Sequence, residues 1–165
     1  MKTLVLGLGN PILKDDGVGL QVAASLKKRF NHPDVTIVES ELGGLNLLEL
    51  LSGYDKALIV DAIQTREGIP GSIYEFGPQS LLGGRHTNST HGINFGSTIE
   101  LGKRLSLDLP DEITVFAVEV EDVNTFSNEC SSNVIKAIPE CVRRITEVIL
   151  NQERAASGKM SSATA

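Results

Sequence analysis

The chain has 165 residues, 41% of them hydrophobic, with a formal net charge of −6 and a pI near 5.1. This length suits one domain with its own hydrophobic core. The acidic balance and the absence of a basic block in the sequence argue against nucleic-acid binding, and no apolar stretch approaches the roughly 20 residues of a membrane span. Cys130 and Cys141 form no CxxC pair, and the short, glycine-rich start does not resemble a signal peptide. We therefore expect a cytoplasmic protein with reduced thiols and no membrane partner.

The opening residues predict a buried parallel strand that leads into a ligand-binding turn. Residues 4–8 are apolar apart from glycine, as in a strand covered on both faces. Gly7 and Gly9 allow a sharp turn and a close approach to a bound group. Apolar side chains every four positions then predict a helix over residues 16–30. A β-branched strand at 35–39 and a leucine-rich helix at 45–51 follow.

The rest of the chain continues the alternation of strands and helices. The unbroken apolar run at 57–63 predicts a central strand, whereas the short strand at 72–76 suits an antiparallel or edge position. A polar loop at 77–90, long enough to be functional, precedes a helix from 91 to about 105, a fifth strand at 112–118 and a last helix at 132–151. We predict a three-layer α/β/α sandwich with a five-stranded, mostly parallel mixed sheet. It forms a single domain over 1–152, with a disordered tail at 153–165.

Three side chains are candidates for one site at the carboxyl edge of this sheet. Asp16 follows the first strand; its simplest role is a helix N-cap, which Asp15 could perform instead. Asp61 ends the third strand, where a buried carboxylate needs a partner, either loop amides or a metal. His91 lies at a loop-to-helix junction, a common place for a purely structural histidine, and His86 in the same loop is a weaker candidate.

If the loops after the first, third and fourth strands converge, two carboxylates and one imidazole form a mixed oxygen and nitrogen site. Such a site suits nickel, zinc, manganese or iron and keeps open coordination positions. The acidic residues after the fifth strand (Glu119, Glu121 and Asp122) predict a solvated loop near the same edge. Ile12 replaces the third glycine of the dinucleotide fingerprint, and no GxSxG nucleophile elbow occurs. Cys130 carries no sign of activation.

These motifs together resemble the [NiFe]-hydrogenase maturation endopeptidases. The resemblance rests on Leu-Gly-Leu-Gly-Asn at 6–10, Asp-Asp-Gly-Val-Gly at 15–19, Val-Asp-Ala at 60–62 and Thr-His at 90–91. It implies an endopeptidase that removes the carboxyl-terminal extension of the hydrogenase large-subunit precursor after nickel insertion. Asp16, Asp61 and His91 are then both the metal ligands and the catalytic residues. The precursor supplies the nickel, cadmium or zinc could replace it in crystals, and the enzyme is a monomer or weak oligomer.

The resemblance has two departures and leaves two alternatives. Members of that family often carry glutamate where this chain has Asp16. Their Asp-Gly-Gly-Thr turn, thought to select the hydrogenase, corresponds here to a segment in which Glu39, Gly43 and Gly44 are the candidate substrate-recognition residues.

The first alternative is a peptidyl-tRNA hydrolase, whose opening resembles Gly-Leu-Gly-Asn-Pro at 7–11, although the acidic pI disfavours tRNA. The second is a nickel-binding maturation factor without catalytic activity.

Overall fold

The computed structural model describes residues 1–41, 43–77, 88–89 and 95–161. Its strands are β1 (Thr3–Leu8), β2 (Val35–Ser40), β3 (Lys56–Gln64), β4 (Ile73–Phe76), β5 (Asn88–Ser89) and β6 (Glu112–Glu119). Its helices are α1 (Val18–Lys27), α2 (Asn46–Leu51), α3 (Phe95–Arg104) and α4 (Ser132–Ser161), and a 3-10 turn (Asp15–Gly17) precedes α1. In the part of the chain that the structure describes, no helix is both long and apolar enough to cross a membrane.

In the described residues, five strands of one mixed sheet follow the order β2-β1-β3-β6-β4, and β5 joins it as a sixth strand. β1 pairs in parallel with β2 and β3, and β3 pairs in parallel with β6. β4 is antiparallel to β6 at one edge, as predicted for the fourth strand. The two-residue β5 pairs antiparallel with the end of β3. The unbroken apolar run of β3 is buried along nearly its whole length, which confirms the prediction of a central strand.

Helices cover both faces of the sheet, so the predicted three-layer sandwich is confirmed. On one face, the apolar stripes of α1 and α4 pack against side chains such as Val5, Val60 and Phe116. On the other face, α2 and α3 pack against the opposite set, including Leu6 and Ile59. Successive strand residues therefore point into two separate apolar layers, as the alternation of a pleated strand requires.

The structure differs from the predicted elements at two places. α4 continues ten residues past the predicted end at Asn151 and covers 153–161 of the predicted tail. The added segment contains Gln, Glu, Arg and Ala, which favour helix, and no proline. β5 lies inside the predicted loop at 77–90, because pairing with β3 rather than local sequence defines so short a strand.

Candidate active site

The chain reverses its direction across the sheet between β1 and β3, and the candidate aspartates lie there. β1 is followed by β2 on one side, and the chain then returns to place β3 on the other side of β1. This reversal predicts that the loops after the carboxyl ends of β1 and β3 diverge, with a crevice between them. Open α/β sheets bind their ligands at such a switch point.

Glycines bring the start of α1 onto the carboxyl ends of these two strands. A Cβ atom at Gly19 would collide with the carbonyl oxygen of Leu8 and lie 2.5 Å from that of Val60. A Cβ at Gly7 would overlap the backbone of Gly19. The sequence predicts that Gly7 and Gly9 allow a close approach to a bound group; in the structure, the protein's own turn and helix approach these glycines. This contact holds the turn with Asp16 beside the strand with Asp61.

Asp16 and Asp61 are both buried at this edge of the sheet, with 3% and 2% of their surface exposed. Oδ2 of Asp16 accepts a hydrogen bond from the amide of Asn10 at 3.0 Å, and Oδ1 of Asp61 accepts one from the amide of Ala62 at 2.9 Å. A carboxylate has about four lone-pair sites, so these amide bonds are compatible with metal binding. Both side chains are oxygen donors of the kind that a divalent metal in a mixed site accepts.

His91, the third predicted ligand, lies outside the described residues, as does His86. Ser89, which precedes His91 by two residues in the sequence, lies opposite Ile63 in the β3–β5 pair, two residues along β3 from Asp61. Within the described ranges, no three His, Cys, Asp or Glu side chains cluster closely enough to hold a metal ion. The structure thus brings two of the three predicted residues to one edge, and the complete set stays a prediction.

Asp15 has a structural role that the sequence analysis did not assign. It is fully buried, and its Oδ1 accepts the amide of Ser131 at 2.6 Å. Its Oδ2 accepts the Ser131 hydroxyl and the amide of Asp122, both at 3.0 Å, and the amide of Glu121 at 3.3 Å. This carboxylate therefore ties the loop after β1 to the loop after β6 and to the start of α4, rather than capping α1.

The prediction of a solvated acidic loop is wrong for Glu119, which is the last residue of β6, whereas Glu121 in the loop after β6 is exposed. Glu119 is 2% exposed, and its carboxylate accepts the amide and hydroxyl of Thr65 at 2.7 and 2.9 Å, which holds the turn between β3 and β4. Asp122 accepts the amides of Thr125 and Asn124 and forms a salt bridge with Lys14 at 3.3 Å. The hydrogen bonds from Thr125 hold the pKa of Asp122 well below its usual range.

Both cysteines are buried thiols without nucleophilic character. Burial, together with the nearby Asp15 carboxylate, raises the pKa of Cys130 to about 11. Burial raises the pKa of Cys141 to about 12. Because the thiolate is the reactive form, neither side chain is suited to attack a peptide bond, in agreement with the interpretation of Cys130 from the sequence.

The candidate recognition residues lie at the end of the edge strand β2. Glu39 is in β2, and its Oε1 accepts a hydrogen bond from Lys27 of α1 at 2.8 Å. Gly44 has φ of +65°, a conformation that favours glycine. β2 ends beside β1, where the amide of Gly9 donates to the carbonyl of Ser40. Recognition of substrate by Glu39, Gly43 and Gly44 stays a prediction.

Comparison with protein families gives a match over most of the chain. A family model described as HycI, hydrogenase maturation protease, matches residues 20–148. The hydrogenase 2 maturation protease of Escherichia coli (strain K12) is 35% identical over 74 residues, 44% of this chain and 45% of that protein. This match therefore spans less than half of that relative. The hydrogenase expression/formation protein HupD of Rhizobium leguminosarum bv. viciae is 24% identical over 152 residues, 90% of this chain and 74% of the relative.

Solved structures show the same fold. The hydrogenase maturating endopeptidase HybD from E. coli superposes with a TM-score of 0.79 at 21% identity, over 92% of this chain and 94% of that one. The [NiFe] hydrogenase maturation protease HybD from Thermococcus kodakarensis gives 0.68 at 24% identity, over 90% and 99% of the two chains.

Proposed function

This chain belongs to the hydrogenase maturation protease family, and from that premise we propose that it is a cytoplasmic endopeptidase acting on a [NiFe]-hydrogenase large-subunit precursor. It removes the carboxyl-terminal extension of the precursor once nickel has been inserted. The observation that carries the proposal is the pair of buried carboxylates at the switch point of the sheet: Asp16 in the turn that follows β1, and Asp61 on the neighbouring parallel strand β3. The family match also sets aside the peptidyl-tRNA hydrolase alternative.

In this proposal the nickel arrives as part of the substrate. The precursor holds the metal, and Asp16, Asp61 and His91 occupy its open coordination positions. Oxygen and imidazole donors suit nickel, and two buried carboxylates favour binding of a cation over a neutral group. Docking of the loaded metal therefore tests whether nickel insertion is complete, since a precursor without nickel offers these side chains no cation.

Docking also explains how the chain could promote hydrolysis without a serine or cysteine nucleophile. Fixing the metal on Asp16 and Asp61 holds the scissile bond at the carboxyl edge of the sheet, and such positioning lowers the barrier substantially. The metal supplies polarisation of the scissile carbonyl or of a water. Either carboxylate can accept a proton from the attacking water.

The first prediction concerns these side chains. Purified protein is incubated with nickel-loaded and nickel-free precursor, and loss of the extension is followed by mass spectrometry. We expect the unmodified chain to cleave only the loaded form. Asp61→Asn and His91→Ala should lower the cleavage rate by at least about a hundredfold, because removing a metal-binding or acid–base group typically costs that much.

Asp111→Asn is the matched control, because Asp111 is exposed and precedes the amino end of β6, at the opposite edge of the sheet. It should cleave at the unmodified rate. Full cleavage by folded Asp61→Asn or His91→Ala would exclude the proposed site. Tight binding of loaded precursor without any loss of mass would favour the non-catalytic nickel-binding factor instead.

A further inference from the structure

The loop after β1 and the loop after β6 pair as a two-stranded antiparallel ribbon at the carboxyl edge of the sheet. We call residues 10–15 and 122–128 the rim ribbon. Leu13 lies opposite Phe126. On either side of this pair, the amide of Lys14 donates to the carbonyl of Thr125, and the amide of Ser127 donates to that of Ile12, each at 3.0 Å.

The rim ribbon presents large apolar side chains to solvent. Phe126 is 79% exposed and Ile12 is 57% exposed. The hydrogen bonds flank Leu13 and Phe126 instead of joining them, so the two form a non-hydrogen-bonded pair whose side chains lie close together on one face of the ribbon. Phe126 therefore shares one face of the ribbon with Leu13, and Ile12 is a second exposed apolar side chain of the ribbon.

The ribbon is held in place by contacts that do not involve its apolar side chains. The Asp15 carboxylate binds the amides of Glu121 and Asp122, and Lys14 forms a salt bridge with Asp122. The Cys130 thiol donates to the carbonyl of Lys14 at 3.4 Å. Because the ribbon is already ordered, it loses little conformational entropy when a partner binds, which is the main benefit of a preorganised surface.

The ribbon is continuous with the candidate active site. It begins at Asn10, whose amide donates to the Asp16 carboxylate, and it ends at Asp15, the neighbour of Asp16. A folded protein that brings a metal to Asp16 must therefore meet the ribbon. Single exposed apolar residues are common, but aromatic anchors on a rigid element beside a site are typical of interface hot spots.

We propose that the rim ribbon is the docking surface for the folded large-subunit precursor, with the exposed Phe126 and Ile12 contacting apolar side chains of that partner. This inference rests on the proposed function and adds a contact that does not depend on the metal. A second copy of this chain is the less suitable occupant, because it would cover the Asp16 crevice.

The second prediction tests this surface through binding. Affinity for nickel-loaded and nickel-free precursor is measured by biolayer interferometry, and KM and kcat by cleavage of the loaded form. Phe126→Ser and Ile12→Ser should each weaken binding of both forms by about tenfold or more, as loss of a hot-spot side chain does. The effect on cleavage should fall on KM. Asp61→Asn should lower kcat and weaken binding of the loaded form alone.

Leu105→Ser is the matched control, because Leu105 is 60% exposed and follows α3, ahead of the amino end of β6. It should bind both forms as the unmodified chain does. If the unmodified chain cleaves the loaded precursor while Phe126→Ser and Ile12→Ser bind both forms normally, the docking surface is wrong and the protease proposal stands. If the unmodified chain binds neither form, both proposals are wrong. If the substitutions change sedimentation of the chain alone and leave precursor binding unaltered, the ribbon is a self-association surface and the inference is overturned.

Discussion

Asp15 and Asp16 are adjacent and chemically identical, yet the structure gives them different tasks. Asp15 binds backbone groups near Ser131, 116 residues away along the chain. Asp16 accepts a hydrogen bond from the amide of Asn10 and lies in the turn between β1 and α1. The sequence near Asp15 indicates a carboxylate at the start of a helix, and a helix cap is the simplest role for it. The actual partners of Asp15 come from the loop between β6 and α4, which is distant in sequence.

The third prediction is that Asp15→Asn destabilises the fold whereas Asp16→Asn mainly affects cleavage. Asp15 accepts hydrogen bonds with both carboxylate oxygens. Asparagine has only one acceptor oxygen, so its NH2 group would face N–H or O–H donors that lose their acceptor. Leaving buried donors unsatisfied costs about 1–3 kcal/mol, and more when the lost acceptor is charged. We expect a loss of about 3 kcal/mol in the free energy of unfolding, measured by urea titration. Ser131→Ala, which removes a single hydroxyl contact, should cost about 1 kcal/mol; an equal loss for both variants would contradict this role for Asp15.

At the scale of elements, the site depends on how closely α1 lies on the sheet. The backbone of α1 touches β1 and β3 at Gly19, beside Leu8 and Val60. This backbone contact fixes the start of α1 relative to both strands. The preceding turn, which contains Asp16, is therefore positioned by the packing of the helix against the sheet. Such close packing tolerates no added atoms, because all the neighbouring atoms belong to backbone.

The fourth prediction uses this contact. Helix propensity alone would make Gly19→Ala stabilising by about 1 kcal/mol. The added Cβ would instead collide with backbone atoms of Leu8 and Val60, so we expect a loss of about 2–3 kcal/mol in the free energy of unfolding, together with slower cleavage. Gly17→Ala is the control in the same segment, because its nearest neighbour would be 3.4 Å from the new Cβ. Equal melting temperatures for the two variants would show that α1 is free to shift.

The elements that the sequence predicts are those whose cause is local. The apolar run of β3 predicts a strand buried on both faces, and the four-residue spacing of apolar residues in α1 predicts a helix buried along one stripe. Both kinds of burial produce a pattern that can be seen in the sequence. β5 has no such pattern, since it exists only through pairing with β3. The burial of Glu119 likewise depends on Thr65 in a distant turn. The position of Asp16 and Asp61 at one edge of the sheet could be predicted, because strand ends in an α/β sheet converge by topology; their role in a site stays a prediction.

At the scale of the whole molecule, both thiols lie in the apolar layer between the sheet and helices α1 and α4. Cys141 is fully buried there and becomes accessible to water only when that layer opens. Burial raises the pKa of Cys141 to about 12, far above the value of about 8.5 for an exposed thiol. As pH rises, the unfolded chain therefore loses this proton before the folded chain does, and folding becomes less favourable.

The fifth prediction is a loss of stability at alkaline pH. The contribution of Cys141 should be complete below about pH 8.5 and should fall by about 1.4 kcal/mol per pH unit above it, until the pKa of the folded state is reached. We would measure it from urea unfolding between pH 8 and 10.5, for the unmodified chain and for Cys141→Ala. The variant should be less stable at pH 8, because it leaves a small cavity, but its stability should decline less steeply with pH. Tyrosine and lysine titrate equally in both proteins, so the difference between the slopes isolates the thiol. Parallel curves would mean that the Cys141 thiol is not held protonated in the folded state. The core would then open locally to water at a much smaller free energy than global unfolding requires.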